Sequence, residues 1–155
     1  QNFIDNNNTS NIIETIIITS TGNSVDWGSE LYFRSGSGIS NSTRGIIGAG
    51  AGTNPADFPG MMHTTIESSG HFVTFGDLSV KRNSPFRGAS CTLTRGIFAG
   101  GNISPVRSNV IDYVQFSTLG NAIDFGDLTG EADDGPINFG GNVSNAHGGL
   151  GLGGF

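Results

Sequence analysis

A cluster of acidic residues is the first group in this sequence whose types and spacing suit a chemical task. The cluster comprises Asp124, Asp127, Glu131, Asp133 and Asp134. Carboxylate oxygens are the hard ligands that Ca²⁺ prefers in proteins. The spacing is not that of an EF-hand, and a solvated loop explains so many acidic residues more simply. We therefore retain Asp127, Asp133 and Asp134 as weak candidate metal ligands and predict neither a metal site nor a cofactor.

The histidines and the cysteine form no recognisable metal or catalytic group. His63, His71 and His147 show no spacing typical of zinc ligands and are better described as isolated polar residues. Cys91 is the only cysteine, so no disulfide can form within the chain. We interpret Cys91 as a small apolar side chain of a strand rather than as a reactive thiol.

Two arginines occupy the same place in two similar segments, because Arg44 and Arg95 each follow a threonine and precede a glycine. The guanidinium fork can bridge neighbouring strands or sheets, and it can also clamp a sugar or a carboxylate. We favour the structural interpretation of both residues.

Two short motifs imitate nucleotide-binding signatures. Asp124-Phe-Gly is the magnesium-binding tripeptide of kinases, but the counterparts Asp26-Trp-Gly and Thr74-Phe-Gly show that it belongs to a repeat. Gly149-Leu-Gly-Leu-Gly-Gly matches a dinucleotide-binding pattern but does not sit between a strand and a helix. No nucleophile and base can be paired, and the sequence predicts that the chain is not an enzyme.

Composition restricts the possible partners. The chain of 155 residues has a net charge of −6, one lysine and 13% charged residues, so it lacks the basic face of a nucleic-acid-binding protein. No apolar run is long enough to cross a membrane as a helix, so we expect no membrane insertion. The 26 glycines and the abundant Ser, Thr and Asn suit short strands joined by tight turns.

Internal repetition is the strongest signal. An aromatic residue and a glycine recur at Trp27-Gly28, Phe75-Gly76 and Phe125-Gly126, at spacings of 48 and 50. A second block recurs after each pair, as Thr43-Arg-Gly-Ile-Ile, Thr94-Arg-Gly-Ile-Phe and the weaker His147-Gly-Gly-Leu-Gly. We therefore predict a single domain of three repeats of about fifty residues. After a lead-in at 1–10, the repeats cover 11–60, 61–108 and 109–155.

Each repeat is predicted to contain at least three strands. The β-branched runs are too short for stable helices, and glycine after the aromatic residue favours a bulge or a close backbone approach. The repeated structural positions are Trp27, Gly28, Arg44, Phe75, Gly76, Arg95, Gly100, Gly101, Phe125 and Gly126. The predicted core is Ile13, Ile16, Ile18, Trp27, Ile46, Ile66, Phe75, Ile97, Phe98, Ile111, Val114, Phe116 and Phe125. On this basis Trp27→Ala should cost about 3–5 kcal/mol of stability.

The order of the blocks resembles the kelch repeat. The matching stretch runs from Ile97-Phe-Ala-Gly-Gly through Val110-Ile-Asp-Tyr-Val to Phe125. The copies are also similar to kelch-like repeats of proteins from marine and cyanobacterial phages. The resemblance implies an all-β fold of antiparallel, blade-like sheets, as in a β-propeller. Three copies are too few to close a propeller, so the fold is expected to be a partial propeller or one completed by oligomerisation.

The same resemblance implies a virion or extracellular location. It suggests a structural or adhesive protein of a tail fibre, spike or capsid surface that presents loops to a host glycan or protein. The expected partners are further copies of the chain or other virion proteins. A purely architectural subunit without a ligand, and an enzyme acting on polysaccharide, remain as alternatives.

Overall fold

The computed structural model describes residues 12–29, 36–48, 50, 59–82, 89–103, 106–129, 138–145 and 149–154. Every regular element in these ranges is a β-strand. The described ranges contain no helix that is long and apolar enough to cross a membrane. The predicted all-β class is confirmed. The described strands are β1 (Ile12–Thr15), β2 (Val25–Ser29), β3 (Ser37–Ser40), β4 (Arg44–Gly48), β5 (Gly60–Thr65), β6 (Val73–Asp77), β7 (Ala89–Cys91), β8 (Arg95–Ala99), β9 (Asn102–Ile103), β10 (Val106–Arg107), β11 (Val110–Gln115), β12 (Ile123–Asp127), β13 (Asn138–Ser144) and β14 (Gly149–Gly154).

Two antiparallel sheets of four strands form the centre of the molecule. The first sheet has the order β3-β4-β5-β6, and the second sheet has the order β7-β8-β11-β12. Each is a meander in which consecutive strands pair, except that the small β9–β10 ribbon is inserted before β11. Neither sheet closes on itself within the described residues.

Two hairpins flank the sheets and correspond to half-sheets. The first hairpin, β1–β2, has the same register shift as the β5–β6 and β11–β12 pairs, so Trp27, Phe75 and Phe125 are equivalent bulged residues. The last hairpin, β13–β14, closes its turn between Ser144 and Gly149, with the same number of intervening residues as the β3–β4 and β7–β8 turns. The sheets are therefore offset by half a repeat from the sequence repeats.

The core lies between the two sheets. Burying a large apolar side chain contributes about 1.5–3 kcal/mol to stability, so this contact holds the sheets together. The first sheet and the segment after it supply Ile39, Ile46, Met61, Phe75 and Leu78, and the second sheet with its β11–β12 turn supplies Phe98, Val114, Phe116 and Ala122.

The predicted core is correct where two sheets meet and wrong elsewhere. Buried members are Ile46, Phe75, Phe98, Val114 and Phe116, and half-buried members are Ile13, Trp27, Ile97 and Ile111. The prediction is wrong for Ile16, Ile18, Ile66 and Phe125, which are exposed. Ile16, Ile18, Ile66 and Phe125 each lie on a side of their unit where no complete neighbouring sheet is present within the described residues. The end of a strand does not explain their exposure, because the equivalent Phe116 also follows its strand and is buried.

Backbone hydrogen bonds join each unit to the next one. In the turn after β5, the amides of Gly70 and Phe72 donate to the carbonyls of Trp27 and Ser29 at 3.0 and 3.1 Å. In the turn after β11, the amides of Gly120 and Ala122 donate to the carbonyls of Phe75 and Asp77 at 2.9 and 2.8 Å. Successive units are therefore related by one recurring contact.

Candidate functional site

A crevice of about 210 Å³ opens where the turns of the two sheets meet. It lies between the β3–β4 turn, the β7–β8 turn and the turn that follows β11. Its walls carry hydroxyl, amide, guanidinium and apolar groups but no carboxylate, histidine or thiol. The lining residues are Asn41, Thr43, Arg44, Leu93, Thr94, Phe116 and Ser117.

Side-chain hydrogen bonds within the turns fix the recurring Thr-Arg-Gly block. Asn41 Oδ1 accepts from the amides of Thr43 and Arg44 at 3.0 and 2.8 Å. Thr92 Oγ1 accepts from the amides of Thr94 and Arg95 at 3.2 and 3.0 Å. Such local bonds stabilise a turn in place of a ladder bond, so each arginine begins its strand in the same place.

Arg44 crosses from the first sheet to the second. Its Nη1 donates to the carbonyl oxygen of Phe116, and Asn41 Nδ2 donates to the carbonyl of Leu93 at 3.1 Å. These two bonds span the crevice at its sides. Leu93 is mostly exposed, so it offers an apolar surface at the mouth.

Arg95 occupies the equivalent position in the second sheet but has a different contact. Its guanidinium lies 5.2 Å from the centroid of the Tyr113 ring, a cation–π contact, and the residue is exposed. Both arginines thus begin a strand as the repeat requires, but only Arg44 is shown reaching a neighbouring sheet.

A buried ion pair escaped the sequence analysis. Arg82 and Asp112 are both fully buried, and Arg82 Nη2 donates to Asp112 Oδ2. Arg82 Nη1 also donates to the carbonyls of Gly100 and Val110 at 2.9 and 3.2 Å. Asp112 lies on β11, which is a repeated strand, but Arg82 lies in a stretch with no repeat pattern, so no sequence signal connected them.

Burial acts in opposite directions on the two charges. It lowers the pKa of Arg82, whereas Asp112 opposes that change. It raises the pKa of Asp112, whereas Ser79 and Arg82 oppose that change. The position of Asp112 is taken by Met62 in the first sheet and by Glu14 in the first hairpin, so the pair belongs to one unit rather than to the repeat.

The structure describes one of the three weak metal candidates. Asp127 is exposed at the end of β12, whereas Asp133 and Asp134 lie outside the described residues. Among the residues that the structure describes, no three acidic, histidine or cysteine side chains are placed to hold a metal ion.

The histidines and the cysteine take part in separate local contacts. His63 packs edge-on against Phe75, with ring centroids 5.7 Å apart, and His71 Nδ1 lies 2.7 Å from Ser29 Oγ. His147 lies outside the described residues. Cys91 is half-buried, and its thiol donates to the carbonyl of Ser40 at 3.2 Å.

The repeated glycines serve two kinds of geometry. Gly100 and Gly101 follow β8 with φ of 73° and 114°, a left-handed conformation that favours glycine, so the chain turns there. A Cβ built on Gly28 or Gly76 would lie 2.1 Å from the carbonyl oxygen of Gly70 or Gly120, respectively. These two positions therefore need glycine because the next unit approaches the backbone.

Comparison with known proteins identifies no family. No family model matches the chain, and no curated protein is similar to it at a significant level.

Proposed function

We propose that the chain is a non-enzymatic recognition protein whose kelch-like sheets present turns to a host-surface glycan. The observation that carries this proposal is the crevice beside Arg44. Its lining combines hydroxyls and an amide with a guanidinium, and it lacks a carboxylate, imidazole or thiol that could act as acid, base or nucleophile. Such a lining suits binding better than bond cleavage.

The fold we propose is a β-propeller of kelch-like blades. It is supported by the two four-stranded meanders with the same strand order and by the aromatic bulge in the last strand of each. The two hairpins would be the halves of further blades. Three repeats in one chain would give part of a ring.

The crevice has the chemistry of a small carbohydrate subsite. Thr43, Thr94 and Ser117 bring hydroxyl groups, and Arg44 has more donors than the one used on Phe116. Leu93 is an exposed apolar group at the mouth against which the face of a sugar ring can pack. A neutral or anionic host glycan therefore fits better than a cationic ligand.

The proposed setting is the surface of a phage virion, in a tail fibre, spike or capsid decoration. The support is the similarity of the repeats to those of phage proteins, together with a charge of −6 that disfavours nucleic acid. A purely architectural subunit is the alternative from the same class. A polysaccharide-acting enzyme is the alternative from another class, and the lining of the crevice weighs against it.

A binding experiment with extracted envelope glycans separates these functions. The purified chain should bind saturably and release no product. The double variant Leu93→Ala with Ser117→Ala should weaken binding at least about tenfold, because it removes one apolar and one polar contact. Leu119→Ala is the matched control, since Leu119 is exposed on the β11–β12 turn but does not line the crevice.

Each other outcome of this experiment selects a different function. Cleaved glycan would replace the proposal with an enzyme, and no binding would leave an architectural role. Mass spectrometry of purified particles tests the location. Finding the chain only in cellular fractions and never in particles would exclude the virion role.

A further inference from the structure

The chain repeats one contact between successive units, and that contact has a donor side and an acceptor side. The acceptor side is the bulged strand of one unit, as Trp27–Ser29 in β2 and Phe75–Asp77 in β6. The donor side is the turn of the following unit, as Gly70–Phe72 and Gly120–Ala122. Two such contacts are formed within the described part of the chain.

A third acceptor side is present and uncovered. Strand β12 repeats the bulge of β2 and β6 around Phe125. A Cβ built on Gly126 meets no atom within 4 Å, in contrast to the 2.1 Å contact at Gly76. Phe125 is 59% exposed, whereas its equivalent Phe75 is 4% exposed. The outer side of β12 thus has the same backbone conformation as β2 and β6, but no following unit packs on it within the described residues.

The first hairpin supplies the matching donor side. Because the register shifts coincide, Gly22 and Ser24 fall at the positions of Gly120 and Ala122 without a gap. Ser24 is exposed, whereas its equivalents Phe72 and Ala122 are 5% and 9% exposed in the two contacts that are formed, so this turn is also uncovered.

Apolar side chains of the first hairpin point to the same conclusion. Ile16 and Ile18 correspond to Val114 and Phe116, which are both 3% exposed in the second sheet. Ile16 and Ile18 are instead 63% and 92% exposed. Exposed apolar residues at positions that are core in the second sheet mark a surface that binds another protein surface.

The strand edges are complementary as well. Within the described residues β14 pairs only with β13, and β1 pairs only with β2. The last hairpin corresponds to the first two strands of a sheet, and the first hairpin corresponds to its last two strands. Placing β1 beside β14 would give the order β13-β14-β1-β2, which matches both complete sheets. The register of β8 with β11 then sets Leu150 opposite Thr15.

We infer that a second copy of this chain docks head to tail, so that its first hairpin completes the sheet begun by β13 and β14. The same step lays Gly22 and Ser24 of the partner subunit on Phe125 and Asp127. Each copy keeps one donor end and one acceptor end, so the contact is heterologous. Such contacts produce rings when the rotation closes and open filaments when it does not.

The docked copy also completes a second crevice. Arg44 donates to the carbonyl of Phe116, and the equivalent positions are Arg95 and Ile18. In the assembly Arg95 therefore donates to the carbonyl of Ile18 of the partner subunit. A crevice like the proposed glycan-binding crevice beside Arg44 would thus form at every junction between copies. The assembly itself does not depend on a glycan, so it can be tested separately from the proposed function.

Light scattering and native mass spectrometry on the whole chain test this inference. Wild type should form species larger than one chain, with a population that depends on concentration. Ile18→Asp should raise the dissociation constant by at least about a hundredfold, because docking would bury the new charge. Leu119→Asp is the matched control. The equivalent residue Ser69 is exposed although its turn already contacts β2, so a charge at this position should not affect docking. The Leu119→Asp variant should assemble like wild type.

A mixing experiment distinguishes head-to-tail docking from any symmetric contact. Phe125→Asp blocks the acceptor end, and Ile18→Asp blocks the donor end. Each variant alone should be a single chain, and the two mixed should form a 1:1 dimer through their remaining intact ends. Arg95→Glu provides a second acceptor-end variant if Phe125→Asp loses the circular dichroism spectrum of the folded chain.

Three results would overturn the inference. The first is a wild-type chain that stays single across the whole concentration range. The second is an oligomer that Ile18→Asp leaves intact, because it would be held by another surface. The third is the absence of any dimer when folded donor-end and acceptor-end variants are mixed.

Discussion

The two complete sheets have the same strand order and the same bulge, yet one is covered and the other is not. In the first sheet the bulged Phe75 is buried beneath the second sheet, and Arg44 bonds to the neighbouring backbone. In the second sheet the equivalent Phe125 is exposed, and Arg95 stacks on its own sheet at Tyr113. The repeat therefore specifies the shape of a unit, whereas its neighbour decides which positions become core.

The two sheets also differ in the polarity of one buried position. In the second sheet, the buried Asp112 pairs with Arg82 of the segment that follows β6, and the first sheet has Met62 at the position of Asp112. A buried pair needs both partners, because either charge alone lacks compensation for its lost hydration. The following predictions test this difference and the difference in coverage.

The largest expected effect follows removal of one member of the ion pair. Asp112→Met copies the first sheet but leaves Arg82 buried without its carboxylate, and should cost about 3–5 kcal/mol of unfolding free energy in urea. Adding Arg82→Met should recover a large part of this loss. Equal stability of the single and double variants would show that no buried charge is at stake.

The loss of stability on truncating each bulged aromatic residue to alanine should increase with the burial of that residue. In the Ile18→Asp background, which should keep the chain single if docking occurs as inferred above, Phe75→Ala should cost about 3–4 kcal/mol. Phe125→Ala, the matched control, should cost about 1 kcal/mol or less, because the side chain is already in water. Trp27 is half-buried, so Trp27→Ala should fall between them and below the value expected from sequence alone. Equal losses at Phe75 and Phe125 would contradict the difference in coverage.

The sequence predicts the local structure of each repeat better than it predicts which residues of the repeat are buried, and the reason is physical. The Thr-Arg-Gly block and the aromatic bulge depend on local turn bonds and backbone conformation, so each copy carries its own signal. Burial of Ile18 or Phe125 depends on what lies beside the unit, and identical patterns give opposite outcomes at Phe75 and Phe125. The Arg82–Asp112 pair joins a repeated position to an unrepeated one, so no spacing could reveal it.

The same logic applies to the crevice. Arg44 was recognisable because it recurs, but its acceptor is a backbone carbonyl, which any residue type can supply. Leu93 and Ser117 had no distinguishing pattern, and only the meeting of two sheets makes them neighbours.

A smaller effect is expected from substitutions at the contact glycines. Gly76→Ala places a Cβ 2.1 Å from the backbone oxygen of Gly120, so the sheets must separate, at a cost of about 2–3 kcal/mol. Gly126→Ala meets no atom, and its φ of 138° should cost about 1 kcal/mol. Thermal unfolding of both variants in the Ile18→Asp background measures the difference. A larger loss at Gly126 would mean that the outer face of β12 is covered within a single chain.

The smallest expected effect is a dependence of stability on pH that comes from His63 of the first sheet. His63 of the first sheet and Tyr113 of the second are equivalent, and each packs edge-on against the bulged phenylalanine. Burial, with a smaller contribution from Arg44, lowers the pKa of His63 below its ordinary value of 6.5. The unfolded chain therefore binds more protons as the pH falls below about 6.5, and stability decreases over that range. His63→Tyr should flatten this part of the profile in urea unfolding between pH 7.5 and 5.5. His71→Asn, which copies Asn121 at the equivalent turn position, is the control and should keep the wild-type slope. If His71→Asn flattens the profile and His63→Tyr does not, the acid-sensitive group is in the turn and not between the sheets.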